Sequence, residues 1–278
     1  MSLHLIERVA VEDAGQGEPV VCVHGLGGSA NTWTPLEPAF GRHRVVRVEL
    51  PGSARSLRAE GPLSIERFVA CLEQVCERLG LASAHGLGHS LGTIVCQHFA
   101  VRHPRRVRSL ALYGPLAEPA DAARAPLKAR AARARSEGAA GMHGIAGQMV
   151  QAALSADTRE RQPLVVAMVR DTIARSCPEG YARTCEALAE ARSAAVERIA
   201  APVLLVTGDE DAVSPPQTLR ALADRLHGAP LVRHRVLGRC GHWTPLERPQ
   251  ECQREWQDFM AAVARTPARR EAAASGVA

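Results

Sequence analysis

At 278 residues and 46% hydrophobic composition, the chain can bury a large core, and its length suits one α/β domain carrying an insertion. A net charge of +5 is modest, aromatics make up 3%, and the arginines are scattered, so no nucleic-acid partner is expected. No stretch is apolar enough to span a bilayer and residues 1–8 hold no secretory apolar region, so the expectation is a cytoplasmic protein with no membrane partner. The eight cysteines include no C-x-x-C pair. Cys22, Cys71, Cys76 and Cys96 fall inside apolar runs and read as reduced thiols.

In chain order, residues 5–11, 19–23, 43–50, 107–113, 202–207 and 231–237 read as strands rich in Val and Leu. Between them, residues 65–79 place Ile65, Phe68, Val69, Leu72, Val75, Cys76 and Leu79 at helical spacing, and residues 91–102 continue as a second helix. This alternation specifies an α/β fold built on a doubly wound, mostly parallel sheet. From residue 117 to 200 the pattern turns to Ala, Arg and Glu with helical periodicity and no strand, which predicts an inserted helical cap. The expected division is a core over 1–116 and 201–264, a cap over 117–200 and a small polar tail over 265–278.

Gly88-His89-Ser90-Leu91-Gly92 sits between a short strand-like run and a helix, the context that presents a serine on a sharp turn as a nucleophile. A serine hydroxyl needs a base in reach and an acid to orient the base. Asp211, in the loop 208–216 after the strand 202–207, is the candidate acid, while Asp209 and Glu210 read as solvated acids capping the helix near Pro215. His242, beside Gly241 and after the strand 231–237, is the candidate general base. The backbone N–H groups of Leu26, in the turn His24-Gly25-Leu26-Gly27-Gly28, and of Leu91 are the candidate oxyanion donors. That turn lacks the Gly-Lys-Ser/Thr of a phosphate loop, so neither cofactor nor metal is expected.

Trp33, Trp243, Met142 and Met149 are candidates for the pocket wall or for plain packing, as is Met168. Arg124, Lys128, Arg130, Arg133 and Arg135 either draw in an acidic substrate or form a solvated helix face.

Taken together, His24-Gly25-x-Gly-Gly, Gly88-x-Ser90-x-Gly92, Gly208-x-x-Asp211-x-x-x-Pro215 and Gly241-His242 resemble the α/β-hydrolase superfamily, in its order, from about residue 3 to residue 264. Within it the chain is similar to small serine carboxylesterases and 3-oxoadipate enol-lactonases, and the stretches 177–182 and 185–188 resemble the enol-lactonase cap. The resemblance implies a serine hydrolase that cleaves a small-molecule ester or lactone through an acyl-enzyme. Carbon–carbon bond hydrolysis of a diketone-like ring-cleavage product and a non-catalytic binding role on the same fold stay open, as does the oligomeric state. A serine in place of an aspartate nucleophile argues, by the same resemblance, against haloalkane dehalogenases and epoxide hydrolases. Two departures stand out: Thr93 occupies the position of a second glycine and is expected to narrow the helix–sheet contact, and Glu49-Leu50-Pro51-Gly52-Ser53-Ala54-Arg55-Ser56 replaces the usual Asp-x-x-Gly-x-Gly-x-Ser loop.

Overall fold

The structure, a computed structural model, describes residues 1–56 and 61–266. The apolar runs become β1 (Ser2–Ile6), β2 (Val9–Ala14), β3 (Pro19–Val23), β4 (Arg44–Val48), β5 (Ala84–His89), β6 (Val107–Tyr113), β7 (Val203–Gly208) and β8 (Val232–Leu237). They pair in the order β1-β2-β4-β3-β5-β6-β7-β8, antiparallel across β1, β2 and β4 and parallel from β4 to β8. The fold is the doubly wound, mostly parallel α/β sheet anticipated from the alternation of elements. One element differs: residues 5–11 are not one strand but the two sides of the β1/β2 hairpin. Glu7 and Arg8 both take positive φ (48° and 70°), the two-residue turn whose twist matches antiparallel strands.

The helices are α1 (Glu37–Phe40), α2 (Ile65–Arg78), α3 (Leu91–Arg102), α4 (Asp121–Ala153), α5 (Ala156–Arg161), α6 (Pro163–Ala174), α7 (Pro178–Glu190), α8 (Pro216–Arg225), α9 (Thr244–Glu247) and α10 (Pro249–Arg265). On one face of the sheet, α2 buries Ile65, Phe68, Val69, Leu72, Val75 and Cys76, its helical stripe, beside α3. On the other, Trp33, Leu36, Phe40, Trp256 and Phe259 from the 3-10 turn Ala30–Leu36, α1 and α10 close over Cys22, Leu87, Tyr113 and Val206. Burial on both faces is why the central strands carry continuous apolar runs rather than an alternating pattern.

Between β6 and β7 the described residues form only helices, α4 to α7, and a 3-10 turn at Val196–Arg198. Helix α4 is broken at Gly138, whose φ of 57° and ψ of −132° leave helical space. No helix among the described residues is long and apolar enough to cross a membrane. The polar tail expected from residue 265 lies outside the described residues from 267 onward.

Strands β3 and β5 are neighbours, with Val23 opposite Gly88, and the chain leaves β3 toward β4 on one side and β5 lies on the other. A sheet of this kind opens a crevice at the carboxyl ends of the strands where the order reverses. The turn from β5 into α3 is tight enough that a Cβ on Gly92 would stand 2.2 Å from the Val23 carbonyl oxygen and 2.7 Å from that of His24. Gly92→Ala is therefore expected to cost about 2–4 kcal/mol in urea unfolding. A loss below about 1 kcal/mol would contradict the close approach of α3 to β3.

Candidate active site

Ser90 occupies the turn between β5 and α3 with φ 52° and ψ −119°, a conformation that a non-glycine residue holds only under constraint from its surroundings. Its Oγ lies 2.8 Å from His242 Nε2, and His242 Nδ1 lies 2.8 Å from Asp211 Oδ2. Asp211 comes from the loop after β7 and His242 from the loop after β8, and all three side chains are buried. The other carboxylate oxygen, Asp211 Oδ1, accepts the backbone N–H groups of Val213 and Ser214 at 2.8 and 2.7 Å. Burial alone would raise the Asp211 pKa, but His242 and those two amides outweigh it and hold the carboxyl at about 2. An ionised Asp211 only accepts, so His242 carries its proton on Nδ1 and turns the Nε2 lone pair toward the Ser90 hydroxyl. Such a row can take the proton of the serine as the oxygen attacks.

The His242 loop is held from several sides. A Cβ on Gly114, which has φ 55°, would lie 2.8 Å from His242 Cε1, so glycine there leaves room for the imidazole. Glu247, buried in α9, accepts the N–H groups of Gly241 (3.0 Å), Trp243 (3.1 Å) and Ser155 (2.9 Å). The His242 amide donates to Ala153 O at 2.8 Å, at the end of α4. Glu247 was invisible to motif reading; its signal was a carboxylate closing the apolar Trp243-Thr244-Pro245-Leu246 run. Asp209 and Glu210 do not cap α8 as expected. They accept the amides of Cys240 and Ala156 at 3.0 and 2.8 Å and tie neighbouring loops together, while α8 begins at Pro216, after Pro215, with no side-chain cap.

Both departures find partners in place. Gly92 is the residue facing β3, while Thr93 lies against β5, its Cα 2.9 Å from where a Cβ on Gly88 would stand. Thr93 Oγ1 donates to Ser90 O at 2.6 Å and accepts from Leu116 N at 3.0 Å, stapling the end of the β6 loop beneath the turn. Glu49 accepts the amide of Arg55 at 2.9 Å and two bonds from its guanidinium. Ser56 Oγ donates to Glu49 O at 2.7 Å and accepts from Ala10 N at 2.9 Å, so the longer acid still closes its loop.

The turn after β3 packs directly on Ser90: a Cβ on Gly25 would stand 2.8 Å from Ser90 Cβ. His24 fixes that turn, its Nε2 accepting Leu50 N–H at 3.0 Å and its Nδ1 donating to Gly25 O at 2.7 Å. Burial lowers its pKa and keeps it neutral, as this pair of bonds requires. Among the described residues the N–H groups of Leu26 and Leu91 have no hydrogen-bond partner.

Ser90 and His242 open onto a cleft of about 230 Å³ whose wall includes Leu26, Leu116, Leu127, Met149, Ile173 and Trp243. Three of the candidates for the wall are elsewhere. Trp33 is fully buried on the opposite face of the sheet, edge-on to Tyr113 at 5.8 Å, because the 3-10 turn that carries it packs toward α10. Met142 is fully buried in the hydrophobic core, and Met168 packs against that core without reaching the cleft. His89, which motif reading passed over as a variable position, does reach it. Its Nε2 donates to His242 O at 2.9 Å, its ring lies 5.1 Å from that of Trp243, and Nδ1 has no partner among the described residues. Burial, aided by His242 beside it, pushes its pKa down to about 3.

Of the five cations in α4, four are paired: Arg124 with Glu118 and Asp121, Lys128 with Glu190, Arg133 with Glu137, and Arg135 with Glu179 and Glu186. Arg130 alone of the five lines the cleft. Among the described residues, the side chains spaced to hold a metal ion are Glu18, His43 and His85, at the amino ends of β3, β4 and β5, far from Ser90. Glu18 is already ion-paired there with Arg108 at 2.6 Å.

Comparison with known proteins places this geometry. A family profile described as alpha/beta hydrolase fold matches residues 18–249. The chain is similar to an esterase from Thermogutta terrifontis solved with malate bound (28% identity, TM-score 0.84, 92% of this chain and 93% of that one). It is equally similar to the enol-lactonase from Burkholderia xenovorans (28% identity, TM-score 0.84, 94% and 100%). In sequence it is 28% identical over 265 residues to 2-hydroxy-6-oxo-2,4-heptadienoate hydrolase of Pseudomonas putida, covering 91% of this chain and 92% of that protein.

The depressed pKa of His89 makes stability pH-dependent. An unfolded imidazole titrates near 6.5. Between there and the folded value of about 3 the unfolded chain binds the proton and the folded one does not. The contribution is therefore fully present above about pH 6.5 and is lost as pH falls toward 3, by up to about 1.4 kcal/mol per pH unit. His85, lowered by burial to about 4, adds in the same sense. Urea unfolding of His89→Asn between about pH 4 and 6 is expected to show a slope smaller by about one proton than the wild type. An unchanged slope would mean that His89 is not held neutral.

Proposed function

This chain is a hydrolase of the α/β-hydrolase family, and from that premise we propose that it cleaves a carboxylic ester or lactone through a serine acyl-enzyme. The observation that supports this reading most is the hydrogen-bonded row Ser90–His242–Asp211 at the floor of an apolar cleft. In the proposed cycle Ser90 Oγ attacks the substrate carbonyl carbon while His242 Nε2 takes the hydroxyl proton. Asp211 keeps the other imidazole proton on Nδ1 and stabilises the imidazolium. The N–H groups of Leu26 and Leu91 hold the oxyanion of the tetrahedral intermediate. His242 then gives its proton to the departing alkoxide, and the acyl group remains on Ser90. Water, deprotonated by His242, attacks the acyl-enzyme, the Ser90 oxygen leaves and is reprotonated by the imidazolium, and the carboxylic acid departs.

Met149 and Trp243 form part of the proposed substrate wall. The substrate is a small molecule that fits beneath the helical insertion over residues 117–200, which acts as the cap of the core.

The likeness to a heptadienoate hydrolase, whose named substrate contains no ester, favours a second reading in which the same groups serve carbon–carbon bond hydrolysis. A panel of p-nitrophenyl esters, lactones and vinylogous diketones separates the two. Turnover of esters or lactones at rates well above those of diketones is expected. In Ser90→Ala the turnover number should fall by roughly 10⁴- to 10⁶-fold, leaving only what binding and the oxyanion donors supply. Retention of wild-type ester turnover in Ser90→Ala would overturn the assignment, and turnover confined to diketones would replace it with the second reading.

A further inference from the structure

The cleft wall is apolar except for the reacting groups, His89, Tyr181 and one cation, Arg130. Arg130 sits on the first half of α4, before the break at Gly138, and is partly buried. Its four charged neighbours on that helix are each paired with a carboxylate; among the described residues no carboxylate lies within 4.0 Å of Arg130. The Tyr181 hydroxyl lies beside its guanidinium, and Tyr181 also lines the cleft. Asp211 does not offset this charge, since it is sealed behind His242 and accepts from the imidazole and two amides.

A guanidinium that faces an apolar cavity without a counter-charge leaves planar donors to be filled by whatever enters. The group that matches it is a carboxylate, which can take two parallel N–H bonds from the fork while an adjacent phenol donates a third. A single positive charge fits a monoanion better than a phosphate monoester dianion. The apolar surface between Arg130 and Ser90 would then cover the uncharged part of the substrate.

We propose that Arg130, with Tyr181 beside it, anchors a substrate carboxylate, so that this enzyme prefers esters or lactones that carry a free carboxylate on the part held under α4. The inference rests on the reading of Ser90 as nucleophile and names the substrate class of that site.

The test compares the p-nitrophenyl half-esters of succinate, glutarate and adipate with neutral p-nitrophenyl esters of matched chain length. The quantity read is the ratio of kcat/KM, anionic over neutral. For at least one length the full-length wild type is expected to favour the anion by about 10- to 100-fold. Arg130→Gln should collapse that ratio by a similar factor, and Arg130→Lys, which keeps the charge but not the fork, should lose part of it. Arg135→Gln, a salt-bridged surface cation on the same helix, should keep the wild-type ratio within about twofold. A wild type with no anion preference, or an Arg130→Gln ratio within about twofold of wild type, overturns the proposal. Neutral-ester turnover distinguishes this failure from failure of the parent reading: turnover that depends on Ser90 leaves the nucleophile assignment standing, whereas turnover that survives Ser90→Ala overturns both.

Discussion

The proton arrangement of the whole site depends on one buried carboxylate. Asp211 accepts from His242 Nδ1 and from the amides of Val213 and Ser214, and these bonds keep it ionised in spite of burial. Were it neutral, the imidazole would be free to take the other tautomer and would present a donor, not a lone pair, to Ser90. The loop that supplies the two amides starts directly after β7, and the loop that supplies His242 follows β8, so two adjacent parallel strands set the distance between acid and base. The backbone at Ser90 is fixed as firmly. Its positive φ persists because Gly92 presses on β3, Thr93 bridges Ser90 O to Leu116, and the Ser90 amide donates to Tyr113 O on β6.

The helical insertion is tied into this site as well as laid over it. Its α4 end bonds the His242 amide through Ala153 O, and Ser155 shares the Glu247 carboxylate with Gly241 and Trp243. Ala156 N reaches Glu210 in the loop that carries Asp211. Movement at that end of the insertion would therefore be felt by the proposed base and its loop, whereas the stretch before Gly138, which carries Arg130, is held to α7 and the segment after it by side-chain packing, ion pairs and the Arg124 bonds to Ala189 O and Ala191 O.

Much of the fold could be read from the sequence because strand and helix periods alternate so regularly, and the exception at residues 5–11 is instructive. The apolar positions on both sides of Glu7-Arg8 merged into one apparent strand, although that charged pair inside the run marks the turn. Ser90, Asp211 and His242 were legible because backbone crowding requires glycines around them and because their order along the chain is itself a pattern. The structure brings all three within hydrogen-bond distance. What could not be read was which face a residue takes. Trp33 lies in a 3-10 turn with no 3.6-residue stripe, and both faces of the sheet are buried, so an aromatic just beyond the turn after β3 carried no sign of pointing away from the cleft. Met142 and Arg130 lie on either side of the break at Gly138 in an alanine-rich stretch, and only tertiary packing sends one inward and the other to the cleft. His89 acts through a partner 153 residues distant, and Glu247 joins its near neighbours Gly241 and Trp243 to Ser155, 92 residues away, a link that no run of neighbouring residues records.

The central claim is that Asp211 governs the reactivity of Ser90 through His242, and the rate at which a fluorophosphonate modifies Ser90 tests it without reference to any natural substrate. Replacing Asp211 by Asn preserves size but offers an amide that can hold the wrong imidazole tautomer. Phosphonylation of Ser90 in Asp211→Asn, followed by intact mass at neutral pH, is predicted to be slower than in the wild type by roughly 10³- to 10⁴-fold. A rate within about tenfold of the wild type, with Ser90 confirmed as the modified residue, would contradict the account.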